Sequence, residues 1–422
     1  MIRVPLRKSA VLLVAVLAQF HAPVFAQTPC KEIAGRFASI EGQVQIRGDE
    51  QQAWRAAKPV DQLCKGDTIR VGELSRATLV LINEAVMRLD QNTTMRLVDI
   101  SGKKEERSLI ELIRGTIKSF IRKPRLLSVN TPYLNGSIEG TEFQVSVAEN
   151  RASILVLEGR ILASNDRGKV VINPGEIAEA QAGAAPTSRI LVKPRDAVQW
   201  TLYYPPILAG SAGAGGAAAS FETLNKVAES DRDAAYHLQR AALLLGVGRQ
   251  DEAQADIDAA LKRDPKAGLA HALRAIIHVV RNERQMALAE ADKGVALSDT
   301  AATRIALSYA QQADFRIEAA RDTLLAAVNK HPQDALAWAR LSELWLALGH
   351  RREATAAAEK AVKLQPGLGR TQNVLGFAAL SEIKTAQAQA AFEQAIVLDS
   401  ADPLAHLGLG LVQIRQGRLQ EG

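Results

Sequence analysis

Cysteine is almost missing from this chain, with only Cys30 and Cys64 among 422 residues. Two thiols without nearby histidines cannot complete a zinc site, which excludes a cysteine-based metal centre. The seven histidines are scattered, and His271 and His278, although seven apart, have no evident third ligand. Aromatic residues make up 4%, too few for an aromatic-rich β fold throughout. Beyond the N-terminus, charges interrupt every apolar stretch before it is long enough to cross a bilayer as a helix. There is no phosphate-binding glycine loop, serine nucleophile elbow or zinc peptidase motif, and Gly210–Gly216 lacks the Lys-Ser or Lys-Thr ending. The expectation is a protein that is not an enzyme, with no cofactor and no metal.

What is present suits a folded chain of two or three domains, being 47% hydrophobic and 23% charged. The net charge of +6 is uneven: residues 1–26 carry +3, residues 27–204 carry +4 and residues 205–422 carry −1. So modest a local excess makes nucleic acid a poor candidate partner. Arg3, Arg7 and Lys8 precede the apolar run Ala10–Phe20, and Val24-Phe25-Ala26 supplies a cleavage point before Gln27. The pattern predicts a secretory signal peptide over 1–26 and a periplasmic mature chain. In an oxidising compartment the paired count suggests a Cys30–Cys64 bridge, with two free buried thiols as the alternative.

From Gly35 to about Ala180, short alternating segments such as Gln43–Arg47, Ala77–Ile82 and Phe143–Val147 are separated by turn residues, which predicts strands. Ile154–Leu157 is almost continuously apolar, as in a sheet buried on both faces. Leu63-Cys64-Lys65-Gly66-Asp67, Ser75-Arg76-Ala77, Asn92-Thr93 and Leu112-Ile113-Arg114-Gly115 follow in order. Then come Thr131-Pro132, Gly140-Thr141-Glu142-Phe143, Val156-Leu157-Glu158-Gly159 and Pro174-Gly175-Glu176. This ordered series resembles the FecR domain family. The resemblance implies an all-β domain and makes signalling coupled to outer-membrane transport the alternative function. Arg114, Lys118, Arg122, Lys123 and Arg125 form a basic strip with no acidic residue between Leu112 and Ile138. A solvated sheet edge accounts for such a strip, and contact with an anionic envelope polymer is the functional reading.

Residues 194–220 hold Trp200, Tyr203 and Tyr204, then a Gly/Ala/Ser-rich connector. The division expected is 1–26 signal peptide, 27–193 β domain, 194–220 aromatic segment and linker, and 221–422 helical repeats. Repeat endings at Asp264-Pro265, Ser298-Asp299, His331-Pro332, Gln365-Pro366 and Asp399-Ser400 recur at intervals of 34, 33, 34 and 34. Small residues fall where helices cross, among them Ala253 and Ala260, Ala287 and Gly294, and Ala354 and Ala361. With Trp338, Leu341, Trp345, Gly349 and Pro366 these resemble tetratricopeptide repeats. A sixth repeat begins at Pro403 and stops at Gly422, so the natural chain is expected to continue. The fold class expected is therefore multidomain, an all-β FecR-like domain followed by an all-α tetratricopeptide solenoid.

First helices of such repeats line a concave face. The repeat frame places Leu238, Leu245, Ile276, Val279, Ile305, Tyr309, Leu346, Arg370, Asn373, Phe377 and Leu380 there, with a place in the core between helices as the alternative for some of them, Ile276 above all. That set predicts a largely apolar groove for an extended or helical segment of an envelope protein or peptide. Arg370 is expected to matter less than Tyr309 and Phe377. The function expected is an exported scaffold.

Overall fold

The structure is a computed structural model that describes residues 30–49, 53–59, 61–103, 105–121, 126–139, 142–209 and 221–419. The expected signal peptide 1–26, the start at Gln27, Arg122, Lys123, Arg125 and the connector 210–220 lie outside the described residues.

Alternation of apolar and polar residues builds two sheets that share the long strand Ser108–Phe120. The first runs Gln62–Cys64, Ile33–Glu41, Arg76–Leu81, Val86–Leu89, Ser108–Phe120, Glu142–Val147, Arg151–Glu158, Glu176–Gln181, Thr187–Ile190. The second runs Arg55–Ala56, Val44–Arg47, Thr68–Val71, Thr94–Asp99, Ser108–Phe120, Leu126–Asn130, Asn135–Glu139, Ile161–Asn165, Gly168–Ile172. Pairing is antiparallel except between Ser108–Phe120 and Leu126–Asn130. The shared strand changes sheets at Gly115, because Arg114 pairs with Thr94 in one and Gly115 with Val147 in the other. Gly115 has φ +90°, and a Cβ there would lie 2.4 Å from the Thr93 Cα. Only glycine fits that crossing.

Phe37, Leu79, Met87, Met95, Ile110, Phe143 and Ile154 are fully buried in one core. Ile154, Leu155 and Val156 are buried in succession, so this strand is covered on both faces. Cys30 and Cys64 are bonded, with Cα atoms 5.5 Å apart, and fasten the start of the described chain to the strand Gln62–Cys64.

The second region is a run of paired helices: α1 (Ala234–Gly246) with α2 (Gln250–Arg263), α3 (Gly268–Val280) with α4 (Arg284–Leu297), and α5 (Ala301–Ala313) with α6 (Ile317–Lys330). They continue as α7 (Ala335–Ala347) with α8 (Arg351–Leu364), α9 (Gly369–Ser381) with α10 (Thr385–Leu398), and finally α11 (Pro403–Arg415). The small residues at the crossings are buried, which brings the backbones of paired helices close. Phe392 fills the space under Gly376 and Gly408, where a Cβ would come within 2.6 and 2.2 Å of its ring. Each pair turns through one left-handed residue at the same place in the repeat: Gly248, Asn282, Phe315, Gly349 and Ile383, then Gly417 after α11. Along α11, Leu404, Leu407, Leu411 and Ile414 are exposed in a helical row.

Candidate functional site

The aromatic segment lies between the two domains. Asp196–Thr201 forms a short 3-10 helix that ends at an extended Leu202, and the chain then continues without helix or strand to Pro206, with Tyr203 beside Asp402, Arg370 and Tyr309 of the solenoid. On one side it crosses the outer face of the first sheet, where Thr78, Arg88, Lys118, Gln144 and Leu155 form one cross-strand row. Trp200 donates from Nε1 to Gln144 Oε1 at 2.9 Å, and Arg88 donates to the Thr201 carbonyl. On the other side Tyr204 donates to Gln250 Oε1 at 3.1 Å, and burial pushes its phenol up to about 12. Ile207 joins the solenoid core with Phe221 and Leu224.

Arg76 fastens both domains to this strap. Its Nη1 donates to the carbonyls of Trp200 (2.9 Å) and Leu202 (3.3 Å), its Nη2 to that of Gly246 at the end of α1 (3.0 Å). Nε and Nη2 also reach Glu41 Oε2, and both side chains are about nine-tenths buried. Such a fork of donors suits a fixed guanidinium better than a lysine. Gly248 makes room, since a Cβ there would stand 2.3 Å from Arg76 Nη1. Nearby, Arg249 pairs with Asp90 at 3.5 Å. Beyond α10, Ser400 Oγ accepts from the Ile40 amide at 3.1 Å. The β domain therefore touches the first repeat and the end of the fifth.

The floor of the concave face is a buried polar network, where a largely apolar groove was expected. Arg370 reaches Asp402 Oδ2 (3.2 Å), Glu343 Oε1 (2.7 Å) and the Tyr309 hydroxyl (3.1 Å). Arg340 stacks 3.8 Å over the Tyr309 ring and donates to Glu343 Oε2 (2.8 Å), Ser308 Oγ (3.1 Å) and Gln312. Asn373 Nδ2 donates to Asp402 Oδ2 at 3.0 Å. Opposed charges keep Arg370 fully ionised, well above its usual range despite its burial. Tyr203 lies among Asp402, Asp399, Arg370 and Tyr309, and burial raises its phenol well above the ordinary value. Burial, with Asp402 and Glu41 adding to it, pushes the Asp399 carboxyl up to about 6.

Leu245, Ile276 and Ile305, expected in the groove, are buried core residues. Helix position alone does not distinguish the face toward the groove from the face toward the next first helix. Leu238 is mostly buried and edges a recess of about 400 Å³ with Leu208 and Leu269, while Val279 packs beside Ala275 and Leu288. Leu346, Phe377 and Leu380 do come together, around a recess of about 420 Å³ shared with Val374, Asn373 and Leu404. Tyr309 and Arg370 belong to the polar network instead. In the basic strip, Lys118 pairs with Glu142 at 2.5 Å, and Arg114 donates to the Asn92 carbonyl at 3.2 Å on the other sheet. These two do not form one surface. Arg340, Glu343 and Asp402 were missed, although Glu343 falls at the repeat position of Tyr309 and Phe377.

Among the described residues no helix is long and apolar enough to cross a membrane, and no group of three or more His, Cys, Asp or Glu could hold a metal.

With that geometry in place, the class is clear: an all-β FecR-like domain followed by a tetratricopeptide solenoid. Residues 67–162 match the family model described as FecR protein, and residues 376–422 match a tetratricopeptide repeat model. No curated protein matches the chain. Solved structures similar to it include a candidate anti-sigma factor from Parabacteroides distasonis, 16% identical, covering 33% of this chain and 67% of that one, TM-score 0.29. Another is a thermophilic tetratricopeptide protein from Thermus thermophilus, 20% identical, covering 43% of this chain and 99% of that one, TM-score 0.38. The two modules together point to a protein-interaction or signalling role.

Proposed function

We infer that this chain is an exported scaffold of the cell envelope, acting in the periplasm, whose solenoid grips extended segments of partner proteins. The observation that carries the reading is the strap: an aromatic stretch of the chain already lies between the β domain and the solenoid, with Tyr203 beside Arg370 and Tyr309. Beside it, the recess at Leu346, Phe377 and Leu380 remains open for a partner's apolar side chains. The basic N-terminal run before Gln27 supports export, and the Cys30–Cys64 bridge suits an oxidising compartment. FecR-type signalling is the second reading, favoured by the family match over residues 67–162.

A photo-crosslinking residue placed at Leu346 or at Gln387, which is exposed on a second helix, tests the scaffold in cells. Adducts with envelope proteins confined to position 346 support it. Equal labelling at both positions, or none at 346, overturns it. The secreted chain should begin near Gln27 by intact mass, and retention of Met1–Ala26 would refute export with cleavage.

A further inference from the structure

On the outer face of the second sheet, Gln45, Arg70, Thr94 and Arg114 are successive register partners across four strands. With Gln43 and Asn92 they line a polar recess of about 270 Å³. Arg70 donates from Nε and Nη2 to Gln45 Oε1 at 3.1 and 2.6 Å and lies 4.3 Å over the Trp54 ring, and among the described residues its Nη1 has no partner. Among the described residues Arg114 donates only from Nε, to the Asn92 carbonyl. Arg47 lies 4.8 Å from the same indole. Among the described residues, none of these three arginines has a carboxylate partner, whereas neighbouring Arg55 and Arg96 are paired with Asp61 and Asp49.

Protection of a sheet edge does not explain this charge. Thr68–Val71 and Ser108–Phe120 are interior strands, paired on both sides. The guanidinia are already positioned by Gln45, Trp54 and a main-chain carbonyl, so less side-chain entropy is lost when an anion arrives. Arg70 and Arg114 stand two strands apart, about 10 Å between Cα atoms, which suits a ligand longer than a single small ion. Between them lies the Thr94 hydroxyl, and the amides of Gln43, Gln45 and Asn92 line the same recess, groups that pair with sugar hydroxyls.

We propose that this recess binds an acidic saccharide, its carboxylate or phosphate held by Arg70 and Arg114 and its hydroxyls by Gln43, Gln45, Asn92 and Thr94. The site is separate from the solenoid and stands whether or not the scaffold reading does.

Calorimetric titration of the mature full chain with a galacturonic acid trisaccharide, maltotriose and inorganic phosphate tests it. The acidic trisaccharide should bind and maltotriose should not. Arg70→Gln with Arg114→Gln should weaken binding by at least about tenfold, as expected for two charge-assisted contacts. Arg114→Gln alone provides a milder variant, and an unchanged melting curve confirms its fold. Equal binding of maltotriose, an undiminished affinity in the double variant, or binding of phosphate without the trisaccharide would each overturn the proposal. Crosslinking at Leu346 should be unaffected by these substitutions, which separates this failure from that of the scaffold.

Discussion

The two domains bury their interiors by opposite means. In the β domain, large side chains such as Phe37, Phe143 and Met87 meet from strands far apart in sequence. In the solenoid, alanines at fixed places let each helix pair touch its neighbours, and stability is a sum of local terms. The contrast teaches where a solenoid acquires long-range order. Here it comes from outside, through Arg76 at the first repeat and Ser400 after the fifth.

Removing Arg76 attacks that connection most directly. Arg76→Ala leaves Glu41 buried without its partner and should cost about 3–5 kcal/mol in urea unfolding. It should also expose Trp200–Tyr204 to protease, and an unchanged melt with a protected strap would break the comparison. Replacing both cysteines by serine acts on one side only. The bridge spans 34 positions, and its loss should destabilise the β domain by about 3 kcal/mol while leaving the solenoid's helical transition in place. A matching fall in the helical signal would show that the two regions unfold as one.

Asp399 offers a subtler probe of the join. Its carboxyl titrates near 6 when buried and about 3.9 when unfolded, so the folded chain binds the extra proton between those values. The stability it contributes is complete below about pH 4 and is lost as pH rises through 6. Asp399→Asn should therefore stabilise the protein at pH 7 by about 2 kcal/mol and flatten its stability between pH 4 and 7. A loss of stability at pH 7 would show that the ionised carboxylate is favourable. The smallest effect concerns the turns. Ile383 is a β-branched residue at φ +64°, where equivalent repeats carry Gly248, Gly349 and Gly417. Ile383→Gly should raise stability by about 1 kcal/mol in thermal unfolding, and no gain would mean that its side chain contributes more than its exposure suggests.

The repeat frame was legible because the intervals near 34 return the same small residues to each helix crossing. The strands were legible from alternation and turn residues. What the sequence did not disclose is how the parts meet. Ile40 and Ser400 are 360 positions apart, and no periodicity marks such a pair. Lys118 looked unopposed because its partner, Glu142, arrives through strand pairing rather than along the chain. The polar floor is hidden in the sequence because Arg370 and Asn373 stand there without their partners. Those partners, Glu343 and Asp402, come from two other repeats.

Helical solenoids behave as springs, lengthening by small rotations shared among their repeats. A single body attached at the first repeat and again after the fifth changes that mechanics for the repeats between. Tension applied across the repeats would load the Gly246 and Ser400 contacts before it could open the helix crossings between them. Until one attachment gives way, the pitch of the coil is fixed, and so is the spacing at which successive first helices meet whatever lies along them.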